Sequence, residues 1–376
     1  MKKAFMNICF AASTIVASLF GTTLSAQSIE QSMRPWDAGK LTWDEFLGEA
    51  KGDTAINMFS WNTEYSQGKQ KIGNTTYTYP KFTTYFDQTE SWTLPQFKTD
   101  VMLQYNQLLF DMLELYSRRA TIELNKNTDY TYQQLRSFYR RQFDKRAREI
   151  REETRNGTDG TKLPYYAADI ALDLERTYFD PVQVLDNTTQ HFSAEIYVGA
   201  SSHFPISDYY ANSFGVNMGF GLGWKRHLWG MDLSLGFSGD AKQDVWTHNG
   251  WIYEGESLNF YQVYLTYAYL ASQNTSFQTF PFVGVGVNGF SHPLGKDNDN
   301  ADPEKDGFSL CAGMMFDIFL NRRVNINSAF SNDLADVGYR AIRVKPYFSM
   351  TYYNDIGWTP ALNLNISFNW GGYTLR

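Results

Sequence analysis

The chain has 376 residues, which is long enough for two domains of ordinary size. Charged residues make up 19% of it and aromatic residues 17%, whereas a typical soluble protein has about 25% charged residues. The formal net charge of −7 gives no reason to expect a basic surface for nucleic acid, so nucleic acid is excluded as an expected partner.

Residues 1–26 predict a secretory signal peptide. Two lysines precede an apolar run over residues 4–20, and cleavage is expected between Ala26 and Gln27. After cleavage Cys311 is the sole cysteine, so neither an internal disulfide nor a thiolate metal cluster is expected. The mature sequence has no run of about 18 apolar residues, which excludes a spanning helix, although a secreted chain can still cross a membrane as a closed β-barrel.

The first half of the mature chain, residues 27–180, predicts an α+β domain. Two strands are predicted at residues 55–65 and 75–87, because β-branched and aromatic residues are frequent there. Turn-forming residues predict breaks at residues 66–68 and 72–74.

Three helices are expected after these strands. A stripe of apolar residues at helical spacing predicts a long helix over residues 98–125. Its members are Val101, Tyr105, Leu108, Met112, Leu115 and Ile122. Further helices are predicted at residues 130–154 and 165–176. The far half of the second helix is basic, and its cations are Arg140, Arg141, Lys145, Arg146, Arg148, Arg151 and Arg155. The interleaved acidic residues favour a solvated helix. A binding face for an anionic glycan or lipid headgroup is the alternative.

Three short segments of this half carry a resemblance. They are Leu-Thr-Trp-Asp-Glu-Phe at residues 41–46, Ser-Trp at residues 91–92 and Phe-Asp-Met-Leu-Glu-Leu-Tyr-Ser-Arg-Arg at residues 110–119. They resemble a family of predicted secreted bacterial zinc proteases, over most of residues 27–176. The family's long helix reads His-Glu-Gln-Gly-His-Phe-Asp, and a later Glu-Thr-x-His-Gly supplies a third ligand. Two histidines four apart on a helix bind zinc, and the glutamate between them activates water.

The metal-binding residues of that family are missing from this sequence. Tyr105 and Leu109 stand where the resemblance places the two helical histidines, and Asn106 stands at the glutamate. Asn156 stands at the third histidine. All five histidines of the chain follow residue 190. The resemblance therefore implies a degenerate zincin-like domain. No catalytic, cofactor-binding or metal-binding residue is assigned, and no cofactor is expected.

The second half, residues 190–376, predicts an all-β antiparallel transmembrane barrel. Residues 362–370 read Leu-Asn-Leu-Asn-Ile-Ser-Phe-Asn-Trp, which places apolar residues on one face of a strand and polar residues on the other. This alternation recurs at least eight times after residue 190, in segments of about 9–13 residues, long enough to cross a bilayer at a tilt. The half resembles bacterial outer-membrane β-barrel proteins. A soluble sandwich, with shorter strands, is the second interpretation.

Eight strands are preferred and ten are the alternative, because single-chain bacterial barrels have even counts. With eight strands, residues 324–330 are an irregular segment. With ten strands, residues 324–330 are the ninth strand and residues 182–185 form a further short strand. An eight-stranded barrel is filled by its own side chains and is not an open pore. Aromatic residues near strand ends are expected in the interfacial girdles, and these are Trp224, Trp229, Tyr267, Tyr269, Tyr352, Tyr353 and Trp370.

Two weak motifs in this half do not support a site. Residues 297–302 have the acidic spacing of a calcium loop, but Ala301 breaks the ligand series and Phe308 occupies the position of the final carboxylate. Ser291 and His292 are adjacent, yet adjacency in sequence is not the geometry of a nucleophile and its base.

These features predict an outer-membrane β-barrel with a catalytically inactive, protease-like domain in the periplasm. Its expected role is binding or scaffolding. Its expected partners are outer-membrane lipid and an envelope protein or glycan. A secreted or membrane-bound hydrolase with a non-standard site is the alternative, and transport is a third possibility.

Overall fold

The computed structural model describes residues 32–51, 55–126, 130–247, 250–291, 303–327 and 333–376. The predicted signal peptide, the acidic segment at 297–302 and His292 lie outside these residues. Two compact units interleave along the chain, whereas the sequence predicts domains at 27–180 and 190–376. The first unit contains residues up to Glu64, Phe82–Ser117 and Arg136–Thr177. The second contains Tyr65–Lys81, Arg118–Leu135 and Tyr178–Arg376.

The strands and helices are numbered in chain order. The strands are β1 (Met33–Pro35), β2 (Asn57–Met58), β3 (Trp61–Ile72), β4 (Thr75–Asp87), β5 (Trp92–Thr93), β6 (Gln190–Pro205), β7 (Ser213–Trp224), β8 (His227–Asp240), β9 (Val245–Thr247), β10 (Gly250–Ile252), β11 (Ser257–Tyr269), β12 (Ser272–Gln273), β13 (Phe277–Ser291), β14 (Glu304–Ile326), β15 (Ala335–Tyr353) and β16 (Gly357–Leu375). The helices are α1 (Asp100–Lys126), α2 (Tyr132–Glu153), α3 (Leu163–Arg176) and α4 (Pro181–Leu185), with 3₁₀ turns at Trp36–Ala38, Trp43–Glu45 and Pro95–Phe97.

Strands β3 and β4 form a hairpin that turns at Gly73, whose φ is +60°. Its turn lies where the sequence predicts a break, at residues 72–74. The other predicted break, at residues 66–68, is wrong because β3 runs straight through it. Gly68 there faces the ring of Tyr79, and a Cβ at Gly68 would lie 2.5 Å from that ring. Gly68 therefore allows close packing against Tyr79 within the sheet and is not part of a turn.

Helices α1, α2 and α3 form the core of the first unit. The predicted stripe of α1 is largely buried, and its buried members pack against residues of α2 and α3. The buried residues of this core are Met102, Tyr105, Leu108, Leu109, Met112, Leu113, Leu115, Phe143, Ala147, Ile150, Leu163, Tyr166 and Ile170. Among the described residues, no helix is long and apolar enough to span a membrane.

Eight strands of the second unit close into an antiparallel ring in the order β6, β7, β8, β11, β13, β14, β15, β16 and back to β6. The preferred count of eight is thus correct. Residues 182–185 lie in the short helix α4, so the ten-stranded alternative is wrong. Asp180 caps this helix by accepting a hydrogen bond from the Val182 backbone N–H at 2.9 Å. Of the segment at residues 324–330, Val324–Ile326 is the end of β14 rather than a ninth strand, and residues 328–330 lie outside the described residues.

The ring has an apolar outer surface and a polar interior. In β16 the side chains of Leu362 and Ile366 are exposed, while those of Asn363 and Asn365 between them are buried. Neighbouring strands repeat this pattern, which is the reverse of a soluble barrel. Of the predicted girdle residues, Tyr353 is wrongly placed: it is fully buried, because neighbouring residues of a strand face opposite sides. The exposed ones are Trp224, Trp229, Tyr267, Tyr269, Tyr352 and Trp370.

The end of the ring at which β6 begins and β16 ends, here called the terminal end, is covered by other parts of the second unit. Thr75–Thr78 of β4 pair in parallel with Arg322–Asn325 of β14. Tyr77 joins a buried cluster there with residues of β14, β15 and β16, and α4 packs against it through Val184 and Leu185. The buried members of this cluster are Tyr77, Phe319, Val324, Ile326, Ala335, Val337, Tyr339, Ala341 and Tyr373.

Candidate binding groove and barrel interior

A groove with a cavity volume of about 1030 Å³ lies within the first unit, between residues 55–61 and helix α2. Aromatic and aliphatic side chains form its floor, and polar side chains of α2 form one wall. Its lining residues are Ala55, Ile56, Asn57, Met58, Phe59, Trp61, Tyr105, Leu109, Arg141, Gln142, Phe143, Asp144, Lys145, Ala147, Arg148, Arg151 and Asn156. Its volume is at the upper end for small-molecule sites, which span about 300–1,000 Å³.

Three positions that the protease resemblance assigns to zinc ligands line this one groove. They are Tyr105 and Leu109 of α1, and Asn156 in the turn after α2. Asn106, at the position of the glutamate, is fully buried and exchanges amide hydrogen bonds of 2.8 and 3.2 Å with Asn57. The groove thus has a tyrosine, a leucine and an asparagine where a zinc site would need three nitrogen ligands.

Gln107, Phe110 and Asp111 of α1 support the fold around this helix. Gln107 donates to Asp111 Oδ1 at 2.7 Å, and Trp36 Nε1 donates to the same oxygen at 2.8 Å. Gln107 in turn accepts the Leu41 backbone N–H at 2.7 Å, and Phe110 is fully buried. Burial raises the pKa of the Asp111 carboxyl above its usual range, while its two hydrogen-bond donors oppose this.

The segment that terminates α2 contributes Asn156 to the groove. Thr154 is buried, donates to the Ile150 carbonyl at 2.7 Å and accepts the Gly157 N–H at 3.1 Å. Gly157 has a φ of +79° and packs against the Tyr105 ring, which a Cβ there would approach to 2.6 Å. Burial raises the pKa of Tyr105, and a hydrogen bond with Arg151 opposes the shift. Thr154 and Gly157 therefore stabilise the turn that follows α2.

The basic residues of α2 divide between two faces. Arg141, Lys145, Arg148 and Arg151 line the groove, whereas Arg146 faces away and lies 3.2 Å from Glu149 and 3.5 Å from Asp169. The predicted solvated helix describes the Arg146 face. The alternative, a basic binding face, stays a prediction for the groove side.

Within the described ranges, no group of three or more His, Cys, Asp or Glu side chains is arranged to hold a metal ion. Ser291 lies at the end of β13. Cys311, the one cysteine among the described residues, is buried in the barrel interior.

The barrel interior contains a buried ion cluster that the sequence analysis did not identify. Arg343 donates to both Glu195 oxygens, at 2.5 and 2.7 Å, and to both Asp317 oxygens, at 2.7 and 2.8 Å. Asn369 Nδ2 lies 3.3 Å from Glu195 and 3.2 Å from Asp317, and Tyr339 donates to Glu195 at 3.0 Å. All five side chains are buried. This bidentate, fully paired arrangement satisfies both carboxylates.

A second buried ion pair crosses the interior. Lys345 of β15 donates at 2.8 Å to each oxygen of Asp232 on β8, a strand on the opposite side of the ring. Tyr197 also donates to Asp232, and Thr266 donates to it at 3.2 Å. Nearer the other end, Tyr347 donates to Gln262 at 2.8 Å. Side chains from opposite strands thus meet across the interior, as expected for eight strands.

A closed ring of eight strands with an apolar outer belt and a polar, bonded interior defines the class of outer-membrane-type β-barrels. Solved barrels of this class resemble about half of the chain. The structure of Neisserial surface protein A matches with a TM-score of 0.30 and 10% identity, over 48% of this chain and 96% of that one. The structure of Ail of Yersinia pestis matches with a TM-score of 0.27 and 10% identity, over 48% of this chain and 99% of that one. The structure of OprG of Pseudomonas aeruginosa matches with a TM-score of 0.27 and 15% identity, over 49% of this chain and 97% of that one.

The sequence shows no significant match to a protein-family model or to a curated protein. The three solved barrels named above share 10–15% sequence identity with this chain.

Proposed function

We propose that the protein is an outer-membrane-anchored binding protein, in which the barrel is the anchor and the groove of the first unit is a non-catalytic binding site. One observation carries this proposal: the three positions that the resemblance assigns to zinc ligands share a groove but are Tyr105, Leu109 and Asn156. The groove keeps the size of a ligand site without the side chains that would hold a metal.

The interior of the barrel supports an anchoring role over a transport role. Lys345 and Asp232 join opposite sides of the ring at 2.8 Å, and the terminal end is covered by the Tyr77 cluster. An apolar belt with aromatic residues near its edges fits contact with outer-membrane lipid. Both ends of the ring polypeptide lie at the terminal end, where Thr189 N–H donates to the Arg376 carbonyl at 2.8 Å. We infer that this end and the first unit face the periplasm.

The anchor and its orientation are tested in whole cells of a Gram-negative host. We expect the chain to fractionate with outer membranes, to run as a heat-modifiable band, and to lose its first unit to added protease only after the outer membrane is permeabilised. Recovery of the chain in the soluble fraction would refute the anchor. Cleavage of the first unit in intact cells would refute the periplasmic orientation.

The absence of metal chemistry is tested by restoring the missing ligands. We expect the wild-type chain to purify without bound zinc, and the Tyr105→His/Leu109→His/Asn156→His chain to retain it, because these positions line one groove. Zinc content after dialysis measures both. The double variant Tyr105→His/Leu109→His is the matched control, and with two ligands it should hold zinc more weakly. Tightly bound stoichiometric zinc in the wild type would contradict the non-catalytic assignment.

A further inference from the structure

The wall of the groove formed by α2 concentrates positive charge. Arg141, Lys145, Arg148 and Arg151 are spaced at four, three and three residues, so they follow one face of the helix over ~15 Å. Asp144 is the only carboxylate among the lining residues. The whole chain has a net charge of −7, so this positive wall is a local feature that would attract a negative ligand.

These cations are available to a ligand. In the described part of the chain, Arg141, Lys145 and Arg148 form no ion pair, and their side chains are exposed. Arg140, on the same helix, lies 5.3 Å from the centroid of the Trp61 ring. Three exposed cations thus lie beside one groove that a single lining carboxylate, Asp144, offsets only in part, which favours binding of an anion there.

The floor of the groove adds an apolar requirement. Phe59, Trp61 and Phe143 form it together with Tyr105 and Leu109. Trp61 packs edge-on against Phe143, with ring centroids 5.0 Å apart. A ligand that fills the groove therefore needs apolar groups above the floor as well as negative charges along the wall.

We propose that the groove binds an acidic peptide segment in an extended conformation, with its carboxylates on the α2 wall and its apolar side chains on the aromatic floor. This inference rests on the proposed function, because it names the ligand class of the same site. An extended chain rises about 3.3 Å per residue, so ~15 Å of wall accommodates about four or five residues. Its alternate side chains point to opposite sides, which matches a charged wall and an apolar floor. A single phosphate would contact only some of the four cations on the α2 wall.

The test measures fluorescence anisotropy of a labelled ten-residue peptide that alternates glutamate and tyrosine, bound to the full chain in lipid nanodiscs. We expect saturable binding that weakens as salt is raised. The Arg141→Glu/Arg148→Glu variant should bind it roughly tenfold or more weakly, because two attractive charges become repulsive. The matched control, Lys69→Glu/Arg176→Glu, makes the same charge change at exposed positions outside the groove and should bind within about twofold of the wild type.

Each other outcome contradicts a different statement. Equal weakening in both variants would show a general charge effect and would overturn the groove assignment. Equal binding of a glutamine–tyrosine peptide would overturn the acidic preference while leaving a binding function intact. Displacement of the peptide by inorganic phosphate at low concentration would assign the wall to small anions and overturn the peptide. Cleavage of the peptide during the measurement would overturn the proposed non-catalytic function itself. Unchanged far-UV circular dichroism verifies that both variants are folded.

Discussion

Replacing Arg343 with leucine is expected to lower the free energy of unfolding of the barrel by about 3–5 kcal/mol. Arg343 is 1% exposed, and it separates the carboxylates of Glu195 and Asp317, which are themselves buried. Without the guanidinium, two negative charges would remain close together in a region that water does not reach. The loss reflects the cost of these unpaired charges more than the intrinsic strength of the ion pairs.

The measurement is the urea dependence of folding in lipid vesicles, with Arg340→Leu as the matched control. Arg340 lies three residues earlier on β15, exposed on the outer face beside Trp370 of the expected girdle, so its replacement with leucine should not lower the stability by more than about 1 kcal/mol. Adding Glu195→Gln and Asp317→Asn to Arg343→Leu should restore part of the stability, because both carboxylates are then neutral. A loss below ~1 kcal/mol in the single variant, or no recovery in the combined one, would contradict the cluster described above.

The barrel could be predicted from the sequence because its signal is local. Side chains of a strand alternate between two faces, so each strand reveals its own lipid and interior faces without knowledge of its neighbours. The alternation did not identify Val324–Ile326 as the end of β14. A register shift between Phe319 and Asn321 interrupts the alternation, and beyond it Val324 and Ile326 face inward. The change of phase makes one 23-residue strand look like two segments.

The sites were less predictable because they depend on contacts between distant residues. The helical spacing of Arg141, Lys145 and Arg148 predicts that they share a face, but not that residues 55–61 lie opposite to form a groove. The ion cluster of the barrel did leave a signal. Glu195 and Arg343 occupy polar-face positions within transmembrane strands, where an ionisable residue requires a partner. The pairing itself, across 148 positions of the chain, is set by the ring.

Replacing Leu265 with arginine is expected to destabilise the barrel by about 2–4 kcal/mol in a lipid bilayer. Leu265 is 62% exposed on the outer face of β11. It lies four residues from Tyr261 and four from Tyr269, which share that face, and it pairs with Met231 and Val285 of the neighbouring strands. This position is near the middle of the apolar belt, where a guanidinium cannot reach water without distorting the bilayer.

The chain offers a control with the same side chain at the same exposure, since Leu47 in the first unit is also 62% exposed. Leu47→Arg should change stability by no more than about 0.5 kcal/mol, because its surroundings are aqueous. Urea titrations of both variants, folded into vesicles, measure the free energy of unfolding and so compare the same substitution in lipid and in water. If Leu265→Arg is as harmless as Leu47→Arg, the outer face of the ring lies in water. The strands would then form a secreted soluble barrel, and the membrane anchor would have to be abandoned.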